Sequence, residues 1–235
     1  MKPKIHLIVG ARPNYIKANP VYYSLNQLNK FEIKLVNTGQ HYDENMSKIF
    51  IHELGMKKPD INLEVGSGSH GEQTGKILSL YEKVLVEDQP NMIIVFGDVN
   101  STIACSLAAA KLGIPIGHVE SGLRSFDWNM PEEINRVITD RISDLLFCST
   151  EKSLNNLKKE GYLDFDCEII NVGDLMYDCM LLFKDKINNH TDQSQHILVT
   201  CHRESNTNEE NLTNIVNALN QINETYPVIF SVHPR

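Results

Sequence analysis

The chain has 235 residues, enough for one large domain or a domain and a half, and its 41% hydrophobic and 22% charged residues are typical of a soluble globular protein. A net charge of −8 without a basic stripe argues against a nucleic-acid surface, and no apolar run is long enough to cross a bilayer. Five scattered cysteines without CxxC spacing favour reduced thiols in the cytoplasm and argue against a zinc site.

Strand-like and helix-like segments alternate along most of the chain, which predicts an α/β fold with a parallel sheet. The predicted strands are Ile5–Val9, Phe31–Asn37, Met92–Phe96, Ile114–Val119, Leu145–Cys148 and Glu168–Val172. The first predicted helix follows the first strand and carries Lys17 in an opening turn. The other predicted helices are about Glu44–Leu54, about Gln73–Glu87, an Ala/Leu-rich segment from Asn100 to Gly113, a segment opening at Pro131, Glu151–Lys159, and Asp174 to about Lys186. Asn100 and Ser101 are expected to serve as N-caps.

The polar segment 188–195 lacks periodicity and is interpreted as a linker between domains. We therefore expect a first domain over residues 1–187 and a second one beginning at residue 196. Residues 196–235 predict a strand, a helix over about Glu209–Glu224 and another strand. One such unit buries too little apolar surface to offset its ordering entropy, so this second domain is expected to be incomplete.

Acidic side chains follow two of the predicted strands. Asp98 comes directly after Met92–Phe96, and Glu120 directly after Ile114–Val119. Because parallel strands end at one edge of a sheet, where ligands bind in open α/β folds, both carboxylates are expected in one crevice. Glu132 and Arg136 lie four residues apart on the next helix and are expected to join them. Taken alone, Asp98 or Glu120 would more often be a helix cap or a loop residue. Glu132 and Arg136 alone would more often be an ordinary helix pair.

Basic and imidazole side chains follow the first two strands. Gly10 and Ala11 turn the chain into a helix that carries Arg12 and Lys17, and a helix N-terminus beside two cations suits an anion. Two ordinary surface side chains on a connection from strand to helix would explain these residues equally well. His41 follows the second strand and is a candidate substrate contact, although a loop histidine bonded to backbone is the commoner case.

The segment Gly66–Gly71 matches the spacing G-x-G-x-x-G. The dinucleotide-binding fingerprint requires a buried strand immediately before it, whereas the residues that precede this segment are short and mixed. We therefore favour a glycine-rich active-site loop over a nicotinamide site.

Five motifs, in this order and spacing, resemble the non-hydrolysing UDP-N-acetylglucosamine 2-epimerase family. They are GARPNYIKANPV, NTGQHYDENMS, VFGDVNSTIACSLAAAKLGIPIGHVESGLRS, MPEEINR and VTCHRESN. NTGQHYDENMS and the GSGSHG loop look closest to the branch that acts on UDP-2,3-diacetamido-2,3-dideoxyglucuronate. The resemblance covers essentially the whole chain.

The resemblance implies a fold of two Rossmann-like domains in the glycosyltransferase B arrangement. It also implies an isomerase that inverts C2 of a UDP-2-acetamido sugar by eliminating and re-adding UDP, in the synthesis of surface-polysaccharide precursors. Its catalytic positions correspond to Asp98, Glu120, Glu132 and His202. Its substrate-binding positions correspond to Arg12, Lys17, Gln40, His41, Gln73 and Arg136. No metal or other cofactor is implied, and we expect a cytoplasmic homodimer that binds a UDP-sugar and neither nucleic acid nor membrane.

The chemistry of the residues agrees with this reaction. Removing a weakly acidic C–H proton and returning one to the opposite face requires two acid/base groups of staggered pKa, which clustered carboxylates can provide. Expelling a diphosphate requires preorganised positive charge.

Two other interpretations remain open from the sequence. A glycosyltransferase of similar fold would need an acceptor site, and three carboxylates would exceed its needs. A truncated, non-catalytic UDP-sugar-binding module is the other alternative, because members of the family continue well past the position of Arg235 and the missing part carries a uridine-binding loop. Activity of the 235-residue form by itself is therefore an open point.

Overall fold

The structure is a computed structural model that describes residues 2–39, 55–187, 195–201 and 206–232. The chain divides into two compact units, residues 1–184 and 185–235. Within the described ranges, no helix has the length and apolar character that a membrane span requires. The predicted helix over Glu44–Leu54 lies outside the described residues.

Seven parallel strands form the sheet of the first unit. They are β1 (Lys4–Val9), β2 (Glu32–Asn37), β3 (Ile61–Asn62), β4 (Met92–Phe96), β5 (Ile116–Ser121), β6 (Leu145–Cys148) and β7 (Glu168–Asn171). Their order across the sheet is β3-β2-β1-β4-β5-β6-β7. The first six positions follow the order of a Rossmann fold. In that order successive strands are added on one side of β1 as far as β3, and then on its other side from β4 onward. This confirms the predicted α/β class.

Helices connect these strands. They are α1 (Arg12–Leu28), α2 (His70–Asp88), α3 (Asn100–Lys111), α4 (Pro131–Arg141), α5 (Glu151–Lys159), α6 (Leu175–Leu182) and α7 (Lys184–Ile187). The predicted helix from Asp174 to about Lys186 is divided at Phe183. The helix that opens at Pro131 ends at Arg141, with Ile142 as its C-cap, and β6 begins at Leu145.

The core lies on both faces of the sheet because its central strands are covered by helices on both sides. Along β1, Leu7 and Val9 pack into one apolar cluster and Ile8 into the other. β4 does the same: Ile94 and Phe96 face one side, and Ile93 and Val95 face the other. These side chains are almost fully buried, which explains why both strands are continuous apolar runs in the sequence.

The N-terminal edge of the sheet is held by a charged cluster around Asp88, the last residue of α2. Its carboxylate bonds Lys4 at 2.6 Å, Lys34 at 2.5 Å and the buried His6 ring at 2.8 Å. Burial alone would raise the pKa of Asp88, but the hydrogen bonds from Lys34, Lys4 and His6 outweigh it and hold that pKa well below its usual range. The cluster ties β1 and β2 to the end of α2.

The second unit contains β8 (Ile197–Cys201), α8 (Glu209–Asn223) and β9 (Val228–Val232). The two strands are parallel neighbours, as a strand–helix–strand connection requires. No described residue of β8, α8 or β9 is fully buried. Along α8, Leu212, Ile215 and Leu219 are half-buried and the other residues are exposed.

Candidate active site

The C-terminal edge of the sheet brings together turns that are distant in the sequence. β1 lies beside both β2 and β4, so the turn after β1 adjoins the turn after β4, and β5 follows on the other side. This is the point where the strand order reverses, which is where open α/β sheets bind ligands. Arg12 begins α1 directly after the first of these turns and is exposed.

Close packing of backbone against side chain shapes the turn after β1. A Cβ atom on Gly10 would lie only 2.0 Å from Ser101 Oγ and 2.5 Å from Thr38 Oγ1. These two hydroxyls are themselves hydrogen bonded at 2.7 Å. The Asn14 side-chain oxygen accepts the backbone N–H groups of Gly10 and Ala11, at 3.2 and 3.0 Å, so the start of α1 is fixed from within.

The turn after β4 is held at three consecutive carbonyl groups. The Phe96 carbonyl accepts from Asn14 and Thr102 at 3.0 and 2.9 Å. The Gly97 carbonyl accepts from His118 Nε2 at 2.8 Å, and the Asp98 carbonyl accepts from Asn135 at 2.9 Å. The donors come from four different elements, so the backbone that presents the Asp98 side chain is fixed by the whole surrounding fold.

Glu120 lies inside β5 and not after it, because the strand continues to Ser121. Its φ of 71° is in the left-handed region, and the pairing with β6 shifts register between Val119 and Ser121. A non-glycine residue in this conformation is uncommon and carries strain of the kind that clusters at functional sites. The irregular backbone re-aims the carboxylate, which bonds Lys17 Nζ of α1 at 2.6 Å.

The Gly97 turn lies against this ion pair. A Cβ atom on Gly97, whose φ is +65°, would be 3.2 Å from Lys17 Nζ and 3.3 Å from Glu120 Oε2. The Asp98 turn and the Glu120–Lys17 pair therefore share one small region of the edge.

Arg136 of α4 completes this arrangement of charges. Its guanidinium bonds the Asp98 carboxylate and the Glu133 carboxylate. Glu133 is buried and also accepts the backbone N–H groups of Ser125 and Phe126 at 2.9 and 3.0 Å. Burial would raise the pKa of Glu133, but these two amides and Arg136 lower it.

Within α4, Arg136 contacts Glu133, three residues earlier, whereas the sequence interpretation singled out Glu132, four residues earlier. Glu132 is exposed in the first turn of α4. Its carboxylate is thus open to a ligand, while that of Glu133 is committed to the backbone of the preceding loop.

A chain of amide side chains extends the site toward the glycine-rich loop. Asn135 donates to Asn100 at 3.3 Å, Asn100 donates to Gln73 at 2.8 Å, and Gln73 donates to the Gly66 carbonyl at 2.8 Å. Asn100 therefore points into the structure. Neither it nor Ser101 is the N-cap of α3, because that position is Val99, which has no side-chain cap, so the capping prediction is wrong.

Behind these turns lies a buried network centred on Asp140 of α4. One carboxylate oxygen bonds His118 Nδ1 at 2.7 Å, and the other accepts the Gly122 amide at 3.0 Å and Arg124 at 2.7 Å. Arg124 continues to Glu160 through two bonds of 2.8 Å. Burial would raise the pKa of Asp140, but His118, Arg124 and the Gly122 amide lower it.

Three of the candidate residues, Gln40, His41 and His202, lie outside the described residues. Of the others, the structure joins Asp98 to Arg136 and Glu120 to Lys17, buries Gln73 in the amide chain, and leaves Arg12 and Glu132 exposed. Their chemical roles stay predictions.

Several residues that shape the site were not identified from the sequence. They are Asn14, Asn100, His118, Glu133, Asn135 and Asp140. Glu133 and Asn135 stand in the same PEEINR motif as Glu132, and the three-residue spacing from Glu133 to Arg136 was a usable signal. His118, a polar residue inside an apolar strand, was another.

Comparison with known proteins places the chain in a family. A family model described as UDP-N-acetylglucosamine 2-epimerase matches residues 23–235. A UDP-2,3-diacetamido-2,3-dideoxy-D-glucuronate 2-epimerase of Pseudomonas aeruginosa is 46% identical over 99% of this chain and 67% of its own length. A UDP-N-acetylglucosamine 2-epimerase homolog of Methanococcus maripaludis is 50% identical, over 99% of this chain and 66% of its own. The chain thus spans about two thirds of the length of these relatives.

Solved structures agree with the sequence match. The UDP-GlcNAc 2-epimerase of Methanocaldococcus jannaschii in complex with UDP-GlcNAc and UDP superposes with a TM-score of 0.89 at 44% identity, covering 99% of this chain and 66% of that one. The Neisseria meningitidis enzyme bound to UDP-GlcNAc gives 0.88 at 30% identity, with the same coverage of both chains. The Rossmann-like fold of the glycosyltransferase B type is confirmed. Sheet order, sequence motifs and family match agree, and the chain belongs to the UDP-N-acetylglucosamine 2-epimerase family.

Proposed function

We propose that this protein is a UDP-sugar 2-epimerase, an isomerase that inverts C2 of a UDP-2-acetamido sugar. The observation that carries the proposal is the pairing of two carboxylates with two cations at the ends of neighbouring parallel strands. Asp98 pairs with Arg136, and Glu120 pairs with Lys17. A sugar diphosphate needs acid/base groups near its ring and positive charge near its diphosphate, and this edge supplies both.

The reaction would proceed in two steps. A carboxylate takes the proton from C2 while the bond from C1 to the UDP oxygen breaks, which leaves a C1=C2 double bond and free UDP. A second carboxylic acid then delivers a proton to the opposite face of C2 as the UDP oxygen bonds C1 again. The two steps conserve all atoms and need no oxidant or metal. Asp98, Glu120 and Glu132 are the proposed acid/base groups, and His202 is proposed as a further catalytic residue.

Binding of the substrate is assigned to the cationic and amide residues of the same edge. We assign the diphosphate to Arg12, Lys17 and Arg136, which stand at or near the turns after β1 and β4. Gln40, His41 and Gln73 are assigned to the sugar or nucleotide. Lys17 and Arg136 both pair with carboxylates, so binding of a diphosphate would draw the two cations toward phosphate and leave the carboxylates with altered partners.

The relatives support two candidate substrates almost equally. UDP-N-acetylglucosamine is the principal candidate, and UDP-2,3-diacetamido-2,3-dideoxyglucuronate is the alternative because a relative with that activity is 46% identical. Either product would serve the synthesis of surface polysaccharide. We further propose a cytoplasmic homodimer, with the acid/base residues in a domain of residues 1–187, a linker over 188–195 and a nucleotide-binding domain from residue 196.

Isotope incorporation at C2 tests the proposal directly. The protein is incubated in deuterated water with each UDP-sugar in turn, and deuterium at C2 is followed by proton NMR and mass spectrometry. An epimerase incorporates deuterium and forms the C2 epimer. Asp98→Asn should remove the incorporation, and the exposed Asp166→Asn, at the opposite edge before β7, is the matched control that should retain it.

The other interpretations give different outcomes. A glycosyltransferase would release UDP only with an acceptor and would leave C2 without deuterium. A UDP-sugar-binding module would bind the nucleotide sugar, measured by calorimetry, with no exchange at C2. Binding without exchange would therefore overturn the epimerase proposal.

A further inference from the structure

The buried histidine of β5 makes two hydrogen bonds whose partners both accept. His118 Nδ1 lies 2.7 Å from an Asp140 carboxylate oxygen, and Nε2 lies 2.8 Å from the Gly97 carbonyl oxygen. A carbonyl oxygen can only accept. The Asp140 carboxylate accepts from Arg124 and the Gly122 amide as well, which favours its ionised form. Both ring nitrogens of His118 therefore face hydrogen-bond acceptors.

Full burial makes this arrangement costly unless it is well satisfied. The side chains of His118 and Asp140 are both 0% exposed, and Arg124 is 1% exposed. A buried ion pair contributes little net stability compared with apolar residues of similar volume, and its better-supported use is to specify one arrangement.

The two ends of the pair reach the two turns that carry the proposed acid/base residues. His118 holds the Gly97 carbonyl, and the next residue is Asp98. Asp140 holds the Gly122 amide, two residues after Glu120 with its left-handed φ of 71°. One buried hydrogen-bonded unit thus connects the Asp98 turn to the turn that follows Glu120.

We propose that His118, supported by Asp140, is a positioning residue that sets the separation and orientation of the Asp98 and Glu120 carboxylates. This inference rests on the proposed epimerase function for its kinetic consequence, but its structural content stands on the hydrogen bonds alone. Acid/base groups on opposite faces of one carbon must be held closely, because a misplacement of about 1 Å can cost roughly 100-fold in rate. Fixing the backbone before substrate arrives avoids reorganisation during the reaction.

Two amide variants separate the two hydrogen bonds. In His118→Asn the side-chain nitrogen falls where Nδ1 stood, so the bond to Asp140 is kept and the bond to the Gly97 carbonyl is lost. In His118→Gln the nitrogen reaches the place of Nε2, so the Gly97 bond is kept. Asp140 still has Arg124 and the Gly122 amide in the second variant.

A second buried histidine supplies the control. His6 of β1 is also 0% exposed and bonds Asp88 at 2.8 Å and Tyr81 at 3.0 Å, but it lies toward the N-terminal edge of the sheet. His6→Gln and His6→Asn remove comparable buried bonds without touching the Asp98 turn. They should lower the thermal midpoint and leave C2 exchange unchanged.

The kinetic measurement is the rate of deuterium incorporation at C2, resolved into kcat and KM. We expect His118→Asn to lower kcat by roughly 10- to 100-fold with KM little changed, and His118→Gln to restore most of it. A purely structural role would lower the thermal midpoints of both variants and leave kcat unchanged, which is the result expected for the His6 pair. Equal kcat in His118→Asn and the wild-type protein would overturn the positioning role.

A spectroscopic measurement decides the structural content even if the protein shows no epimerase activity. In nitrogen-15 NMR spectra, the backbone resonances of Gly97 and Asp98 should move in His118→Asn and return toward wild-type positions in His118→Gln. Unmoved Gly97 and Asp98 resonances in His118→Asn would contradict the inference. A wild-type protein without exchange whose variants show these resonance changes would overturn the function and leave the positioning intact.

Discussion

The ammonium of Lys17 bonds the carboxylate of Glu120 at 2.6 Å, although 103 residues separate them in the sequence. The two side chains are 13% and 17% exposed, so water screens the pair only partly. The bond connects the first helix to the strand beyond β4 and crosses the reversal point of the sheet. Its presence means that Glu120, in its left-handed conformation, is held by a partner from a distant part of the chain.

Replacing this lysine should therefore destabilise the first unit. Lys17→Met keeps the aliphatic stem and removes the donor, and we expect a loss of about 1.5–3 kcal/mol, the range for hydrogen bonds to charged groups. Urea unfolding of wild type, Lys17→Met, Glu120→Gln and the double variant gives the coupling. Additive losses in the double variant would show that the two residues do not interact energetically.

Loss of the acid/base carboxylates should abolish exchange without unfolding the protein. Asp98→Asn and Glu132→Gln keep shape but cannot accept a proton at neutral pH, so the rate of C2 exchange should fall by at least about 100-fold. Thermal midpoints should change little for the exposed Glu132. The control is Glu168→Gln, an exposed glutamate at the start of β7. Near wild-type exchange in both site variants would place the base elsewhere.

A pair of glycines with nearly the same backbone conformation tests the packing of the Asp98 turn. Gly97 and Gly113 have φ of 65° and 67°. A Cβ on Gly113 meets nothing within 4 Å, whereas one on Gly97 approaches Lys17 Nζ and Glu120 Oε2. Gly113→Ala should cost only the left-handed strain, about 1–2 kcal/mol, while Gly97→Ala should cost more and also reduce C2 exchange. Equal costs by chemical denaturation would mean that the ion pair yields freely.

The stabilising role of Glu133 should depend on pH. Glu133→Gln replaces one of the two accepting oxygens by a donor that faces a backbone N–H, at an expected cost of about 1–3 kcal/mol near neutral pH. Because the folded-state pKa of Glu133 is lowered, its contribution is complete above the unfolded pKa of about 4.3 and is lost as the pH falls through the folded value.

The difference in unfolding free energy between wild type and Glu133→Gln should accordingly shrink in acid. Urea midpoints measured from pH 7 down to pH 3 would show it. A difference that stays constant or grows toward pH 3 would mean that the carboxylate charge is not the source of the stabilisation.

Amide hydrogen exchange should differ between the two units. Val95 of β4 is fully buried, whereas Val232 of β9 is 73% exposed and Val199 of β8 is only half-buried. Backbone hydrogen bonds with little apolar cover open at low free energy, so the Val199 and Val232 amides should exchange much faster than that of Val95. Equal, strong protection of all three would contradict the expectation from burial.

Much of the first unit was predictable because its central strands carry a local signal. The apolar runs of β1 and β4 are buried on both faces, and the turns after them contain glycine. Asp98 could be assigned to the sheet edge by parallel topology alone. The end of β5 could not be predicted in this way, because a register shift at Glu120 extends the strand beyond its apolar run. Glu133 and His118 were overlooked because each has a backbone partner that the sequence does not display: the Ser125 and Phe126 amides for Glu133, and the Gly97 carbonyl for His118.

The neighbours of β1 also constrain how the chain can be synthesised. Lys4 and Asn91, which are hydrogen bonded at the start of β1 and β4, are 87 residues apart. At a ribosomal rate of about 5–20 residues per second, β4 is synthesised roughly 4–17 s after β1, so one edge of β1 stays unpaired for that time. During that interval the apolar nascent segment has an unpaired strand edge, which is a template for aggregation and a binding surface for chaperones. The strand order β2-β1-β4 thereby leaves one edge of β1 unpaired until β4 has left the ribosome.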